Sequence, residues 1–261
     1  MRKIAVAMAK GGVGKTTTAV TLAHGLALAG ATVVLVDCDT QSQASGFLGV
    51  NPPFGLYEFI TGADKDGTRM SKAEALYPAR ENLWLIAGGM PLVELKNRLG
   101  EQPADRRHNI LAEALIPRGG SVDYLIFDCS PGWDVLSVNI LMAADEVLCP
   151  VALQGPALEG LKTFFTYLLS AQKLNPALRL KYVVPTMFDR RTRHSYDMLA
   201  VLEKHFFRQL CDPVGYNTSL SEAAARGKTI FEYRPGSAGA EGYRNLIRRI
   251  ADDDTKQTQS T

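Results

Sequence analysis

Hydrophobic positions along the chain fall into short apolar runs that alternate with longer stretches of helical spacing. The runs Lys3–Met8, Thr32–Asp37, Leu83–Ala87, Tyr124–Asp128, Glu146–Val151 and Leu180–Pro185 predict strands, with a further candidate at Arg208–Asp212. Several are apolar at every position rather than at every second one, as parallel strands covered on both faces require. Between them, Thr16–Ala29, Leu92–Leu99, Gly160–Leu174 and Ser195–Phe207 carry helical spacing. Such alternation predicts an α/β fold: a doubly wound, mostly parallel sheet with helices on both faces. Gly30 reads as a helix C-cap, and Asn175-Pro176 closes the helix that ends near Leu174. Residues 51–80 mix Gly, Asp and Lys and predict no clear element. The polar stretch 252–261 predicts a disordered tail after a single domain over residues 1–251.

Composition narrows the classes. With 46% hydrophobic and 21% charged residues among 261, the chain can bury one large core. No stretch offers the roughly 18 unbroken apolar residues of a membrane span. The apolar run after Met1 leads into a Gly-rich loop and not a cleavage site, so a cytoplasmic protein is expected. Cys38, Cys129, Cys149 and Cys211 form no CxxC pair, and buried free thiols are expected of them.

The candidate chemistry lies in Ala9-Lys10-Gly11-Gly12-Val13-Gly14-Lys15-Thr16-Thr17, which follows a predicted strand and opens a predicted helix. That is the setting of a phosphate-binding loop. Successive backbone N–H groups must point at phosphate oxygens, and side chains at Gly11, Gly12 and Gly14 would obstruct them. The helix N-terminus adds its positive dipole end. Lys15 suits the β- and γ-phosphates, and the Thr16 hydroxyl suits Mg²⁺. A ligand-free Gly-rich turn is the plain alternative, and Gly14-Lys15-Thr16 after an apolar strand argues against it. Asp128 ends one apolar strand and Asp39 follows the end of another, at the strand termini where ligands of such sheets bind. Either could instead be a turn or cap residue. Asp37 is read as facing away from Asp39.

Ala9 replaces the first Gly of the general loop pattern, and Lys10 is an added lysine. Lys10 to Thr17 resembles the deviant Walker A box of the ParA/MinD family of ATPases. The similarity continues through Leu35–Gln41, Phe127–Gly132, Ala143–Val147, Asn217 and Leu220–Ala223, so it spans almost the whole chain. The resemblance implies ATP and Mg²⁺ as cofactors, with residues 10–17 on the nucleotide and Thr16, Asp39 and Asp128 at the metal. It implies that Asp39 orients the attacking water and that Lys10 crosses a dimer interface to the partner's nucleotide. Met187, Asp189 and Asn217 are the implied adenine contacts. The chain starts at its first strand, so the N-terminal DNA-reading extension of larger ParA proteins is expected to be missing.

Charge distribution bears on partners. Residues 179–249 hold thirteen Lys/Arg against seven Asp/Glu, a surplus of six in a chain whose formal net charge is only +2. A basic third suits sequence-independent DNA binding, although a solvated helix face would look the same. The resemblance favours DNA, with nucleoid association and a ParB-like or adaptor protein that stimulates hydrolysis. Tyr216 and Ser219 stand where relatives with DNA cargo tend to carry arginines; Arg190, Arg191, Arg193, Arg226, Lys228 and Arg234 are the substitutes expected here. The cargo could be a plasmid, a chromosome origin or an assembly such as a carboxysome. The other readings are a MinD-like membrane-cycling regulator anchored by residues 243–250, a P-loop ligase, and an iron-protein relative of nitrogenase, which would need two bridging cysteines.

Overall fold

The computed structural model describes residues 1–64, 66–115, 121–154 and 157–258. In chain order its strands are β1 (Arg2–Val6), β2 (Val33–Asp37), β3 (Tyr77–Arg80), β4 (Leu83–Ile86), β5 (Tyr124–Asp128), β6 (Glu146–Ala152) and β7 (Arg179–Thr186). Its helices are α1 (Lys15–Leu28), α2 (Gln43–Leu48), α3 (Leu56–Thr61), α4 (Pro91–Gly100), α5 (Ile110–Ala114), α6 (Val135–Ala143), α7 (Ala157–Leu174), α8 (Arg193–Phe206), α9 (Thr218–Ala224), α10 (Ile230–Tyr233) and α11 (Ala238–Thr258).

The strands form one sheet in the order β3-β4-β2-β5-β1-β6-β7, parallel throughout except for β3. β2 and β5 are buried at every position, as their unbroken apolar runs demand. Each face carries its own core. One is built around Phe127, Leu136 and Phe164, the other around Leu22, Tyr182 and Tyr243.

Three expectations need correction. Residues 208–212 do not form a strand: they contribute a single parallel bridge, Val183 to Leu210, beside β7. Pro213, which has no N–H to donate, interrupts the ladder, and pairing resumes at Val214, whose N–H donates to the Pro185 carbonyl at 2.8 Å. The unassigned stretch 51–80 contains α3 and the antiparallel edge strand β3, where Pro78 is tolerated because an edge strand leaves one side unpaired. The expected disordered tail is helical as far as Thr258, and residues 259–261 lie outside the described residues.

The tail orders because its acidic residues find partners at the start of β1. The Arg2 guanidinium donates to Glu146 at 2.6 Å, to Asp254 at 2.7 Å, to the Tyr182 hydroxyl at 2.7 Å and to the Ile250 carbonyl at 2.7 Å. The rings of Tyr124 and Tyr182 flank it, with centroids 5.8 and 6.0 Å away. Tyr182 donates to Asp253 at 2.8 Å, and Tyr124 donates to Asp254. Aspartates near a helix C-terminus oppose the helix dipole, and this cation offsets them. The apolar stripe of α11 lies against the sheet: Tyr243, Leu246, Ile247 and Ile250 are all buried. That removes the stripe a membrane anchor would expose, and no helix among the described residues is long and apolar enough to cross a membrane.

Arg2→Ala strands the Glu146 carboxylate in a nearly buried position, with only Lys181 left at 3.6 Å. The expected loss is about 3 kcal/mol of unfolding free energy. Urea denaturation checks it, as a lower midpoint at unchanged slope; a midpoint equal to wild type would contradict the clasp.

Candidate nucleotide site

β1 ends at Val6, and the chain turns through residues 7–14 before α1 begins at Lys15. Gly12 and Gly14 take φ of +71° and +89°, a region that side chains other than glycine rarely adopt. The start of α1 has no side-chain cap and no acidic residue in its first turn. Its first amides are therefore left to the loop and to whatever anion enters it. From the far side, the Thr186 hydroxyl donates to the Val13 carbonyl at 2.9 Å and fastens the loop to β7.

Lys15 is buried, and its ammonium donates to the Lys10 carbonyl at 2.8 Å. Burial lowers its pKa, and the nearby Asp128 carboxylate is the main opposing influence. Asp128 ends β5, next to Val6 on one side and Asp37 on the other. Both of its carboxylate oxygens are buried without a hydrogen-bond partner among the described residues. Burial, followed by the charge of Asp37, pushes its pKa well above the usual carboxylate range; the Thr16 hydroxyl and Lys15 pull the other way. Thr16 does so without reaching hydrogen-bond geometry. Two unsatisfied carboxyl oxygens beside a hydroxyl and a phosphate loop are a donor set that fits a magnesium shell.

Asp37 does not face away from the site. Residues two apart on a strand share a face, and its carboxylate accepts the Asp39 N–H at 2.9 Å and the Ala44 N–H at 3.1 Å. Burial pushes its pKa up to about 7 against those two donors. Asp39 is half-buried just past the strand end, with one carboxylate oxygen held by the Gln41 N–H at 3.0 Å.

From the loop, a cleft of about 780 Å³ opens between α2 and α9. Gly14 and Thr17 of the loop and α1 line it together with Phe47, Met187, Tyr216 and Asn217. Met187 has φ +55°, and Asn217 caps α9 by accepting the Ser219 N–H at 2.8 Å. Asp189, expected at the adenine, does not line the cleft. Its carboxylate is taken up by the side chain and backbone N–H of Arg191, which hold its pKa down at about 2. Lys10 also lies outside the cleft, its stem against Gly160, where an added Cβ would come within 3.2 Å of the Lys10 Cβ. Phe47 and Gln43 also line the cleft and were not anticipated, because no motif marks them.

The expected basic residues divide into two groups. Arg190, Arg191 and Arg193 are exposed around the start of α8, with Arg191 paired to Asp189. Arg226 is exposed just after α9, with its guanidinium over the Tyr233 ring at 4.9 Å, and Lys228 is exposed two residues later. Arg234 donates to the Ser219 hydroxyl at 3.2 Å, and Ser219 itself is buried. All four cysteines are buried free thiols.

Residues 1–180 match an AAA domain family. The chain is 36% identical to the chromosome-partitioning ATPase Soj of Thermus thermophilus, over 96% of this chain and 95% of that one. It is 35% identical to the chromosome partitioning protein ParA of Myxococcus xanthus, over 98% of this chain and 90% of that one. Among solved structures it is similar to cobyrinic acid a,c-diamide synthase from Mycobacterium smegmatis with bound ADP and magnesium. That match has a TM-score of 0.79 and 29% identity, and covers 96% of this chain and 94% of the other. Loop, strand-end carboxylates and near full-length similarity converge: the chain belongs to the Soj/ParA family of ATPases.

Proposed function

We propose that this protein binds ATP and Mg²⁺ in the cleft beside residues 10–17, dimerises in the ATP state, binds DNA without sequence preference and positions or segregates a cargo. The observation that carries the reading is the pair of unpartnered Asp128 oxygens beside Thr16 and Lys15, at the mouth of an uncapped helix. Bound Mg²⁺ would supply charge neutralisation across the phosphate oxygens.

The chain's own residues do the rest. The amides of Gly11 to Thr17 cradle the phosphates, and Lys15 exchanges the Lys10 carbonyl for β- and γ-phosphate oxygens. The Thr16 hydroxyl and the Asp128 carboxylate hold the metal's shell. Asp39 accepts a hydrogen bond from the attacking water, its carboxylate steadied by the Gln41 N–H. Lys10, outside its own cleft and propped on Gly160, serves the nucleotide of a second copy, so ATP links two protomers. Met187 and Asn217 stand at the base end of the cleft.

DNA contacts come from the basic C-terminal third, chiefly Arg226, Lys228 and Arg234, with Arg190 and Arg193 as a second group. Arg191 contributes less, because Asp189 offsets its charge. A ParB-like or adaptor protein stimulates hydrolysis and releases the DNA, which makes the protein cytoplasmic and nucleoid-associated. The buried stripe of α11 disfavours the MinD-like membrane reading.

Lys15→Ala is expected to weaken binding of a fluorescent ATP analogue by far more than threefold (~0.7 kcal/mol); a smaller change would remove the phosphate-loop assignment. Asp39→Ala is expected to keep ATP and Mg²⁺ but stall turnover, which sedimentation with ATP would register as a lasting dimer. A variant that stays monomeric or hydrolyses normally contradicts the role of Asp39.

DNA binding is expected to require ATP, to ignore sequence and to weaken steeply with salt. Arg226→Glu with Lys228→Glu should weaken it strongly and flatten the salt dependence by about one unit of slope per lost phosphate contact, with DNA-free turnover unchanged. Gel shifts and anionic-vesicle co-sedimentation, both with ATP, provide the measurement. Vesicle binding without a DNA shift would overturn the DNA reading.

A further inference from the structure

The base end of the cleft has an aromatic ring to which no role has been given. Tyr216 lines the cleft and is 54% exposed. Of the large hydrophobic side chains left exposed among the described residues, it alone borders this cleft. The other two aromatic rings there are committed elsewhere: Phe47 packs partly into the core, and Tyr243 is buried with its hydroxyl 3.0 Å from that of Thr18.

The backbone of Tyr216 is held in place. Its N–H donates to the Phe188 carbonyl at 2.9 Å, and Gly215 bridges Phe188, so the segment carrying Tyr216 is laced to the segment carrying Met187. The Phe188 ring meets Tyr196 edge-on at 5.1 Å, which braces that lacing from outside. At this end Met187, Leu220 and Tyr216 offer apolar surface, while the Asn217 side-chain oxygen is spent on capping α9. A flat, weakly polar group is what such a place accepts, and an exposed ring gains by being covered with one.

We propose that Tyr216 is the stacking wall for the purine base, and so a determinant of nucleoside affinity distinct from the phosphate loop. The proposal rests on the reading of the cleft as the ATP site. A ring stacked on a base contributes to base affinity, and nothing to the affinity of the phosphates. Losing the hydroxyl leaves the stack in place. Losing the ring removes it.

The test compares Mg·ATP with inorganic tripolyphosphate, which carries the charge of ATP's tail and no base. Equilibrium binding of both is measured for wild type, Tyr216→Ala and Tyr216→Phe. Tyr216→Ala should weaken ATP about tenfold and leave tripolyphosphate unchanged, while Tyr216→Phe stays within twofold of wild type for both. ATP affinity within twofold of wild type in Tyr216→Ala would overturn the proposal; if the DNA gel shift were lost in that same variant, the ring would belong to the DNA surface instead. A parallel loss for tripolyphosphate would also overturn it, as a sign of a distorted loop. Wild-type protein that binds ATP no better than tripolyphosphate would dismiss the cleft as the base site altogether, and the proposal with it.

Discussion

Two carboxylates held side by side out of water set the terms for this structure. Asp37 and Asp128 are register partners at the ends of β2 and β5, both buried; burial raises the pKa of each, and the charge of Asp37 raises that of Asp128 further. Like charges in a low-dielectric interior repel strongly and lose their hydration. The chain answers Asp37 with two backbone N–H groups, and leaves Asp128 only the nearby charge of Lys15 and the dipole of Thr16. The arrangement is electrostatically incomplete, and a divalent cation with its anion is what completes it. Sheet order makes this possible, because β2, β5 and β1 are neighbours and bring Asp37, Asp128 and the phosphate loop to one edge.

The walls of the cleft are joined behind it. Gly49, at the end of α2, touches Gly227, beyond α9, so closely that a Cβ on Gly49 would fall 2.7 Å from the Gly227 carbonyl oxygen. Arg80, from the edge strand β3, donates to the Leu48 carbonyl at 2.9 Å and to the Gly227 carbonyl at 3.3 Å. It also pairs with Glu232 of α10 at 2.6 Å. Glu232 accepts the Thr229 N–H, and the Thr229 hydroxyl lies 2.7 Å from Nδ1 of His24 in α1. The helix that begins at the phosphate loop, both cleft walls and the segment carrying Arg226, Lys228 and Arg234 are therefore held by one polar cluster. The clasp of Arg2 does similar work at the opposite end of the sheet, where it ties the last turns of α11 to β1, β5, β6 and β7.

How much was legible in the chain depended on how local the cause was. Six of the seven strands among the described residues followed from runs of apolar residues, because burial on both faces writes itself into the positions of a strand. The phosphate loop followed from its glycines and lysine, because backbone conformation and charge at close quarters leave few residue types able to serve. β3 was missed because its Pro78 and exposed positions give an edge strand no periodic signature. The helical tail was missed because the cation that orders it comes from residue 2.

The sequence by itself determined the α/β alternation, the phosphate loop and the family. Each rests on residues adjacent in the chain, whose sterics, hydropathy and charge act locally. Only the tertiary structure decided that Asp128 keeps two unpartnered oxygens beside Thr16 and Lys15, that Arg2 clasps Asp254, that Arg234 stands beside Ser219 and that Tyr216 lines the cleft. Those outcomes depend on which side chain reaches a given partner first across tens or hundreds of residues. Packing settles that competition, and no pattern of neighbours in the chain encodes it.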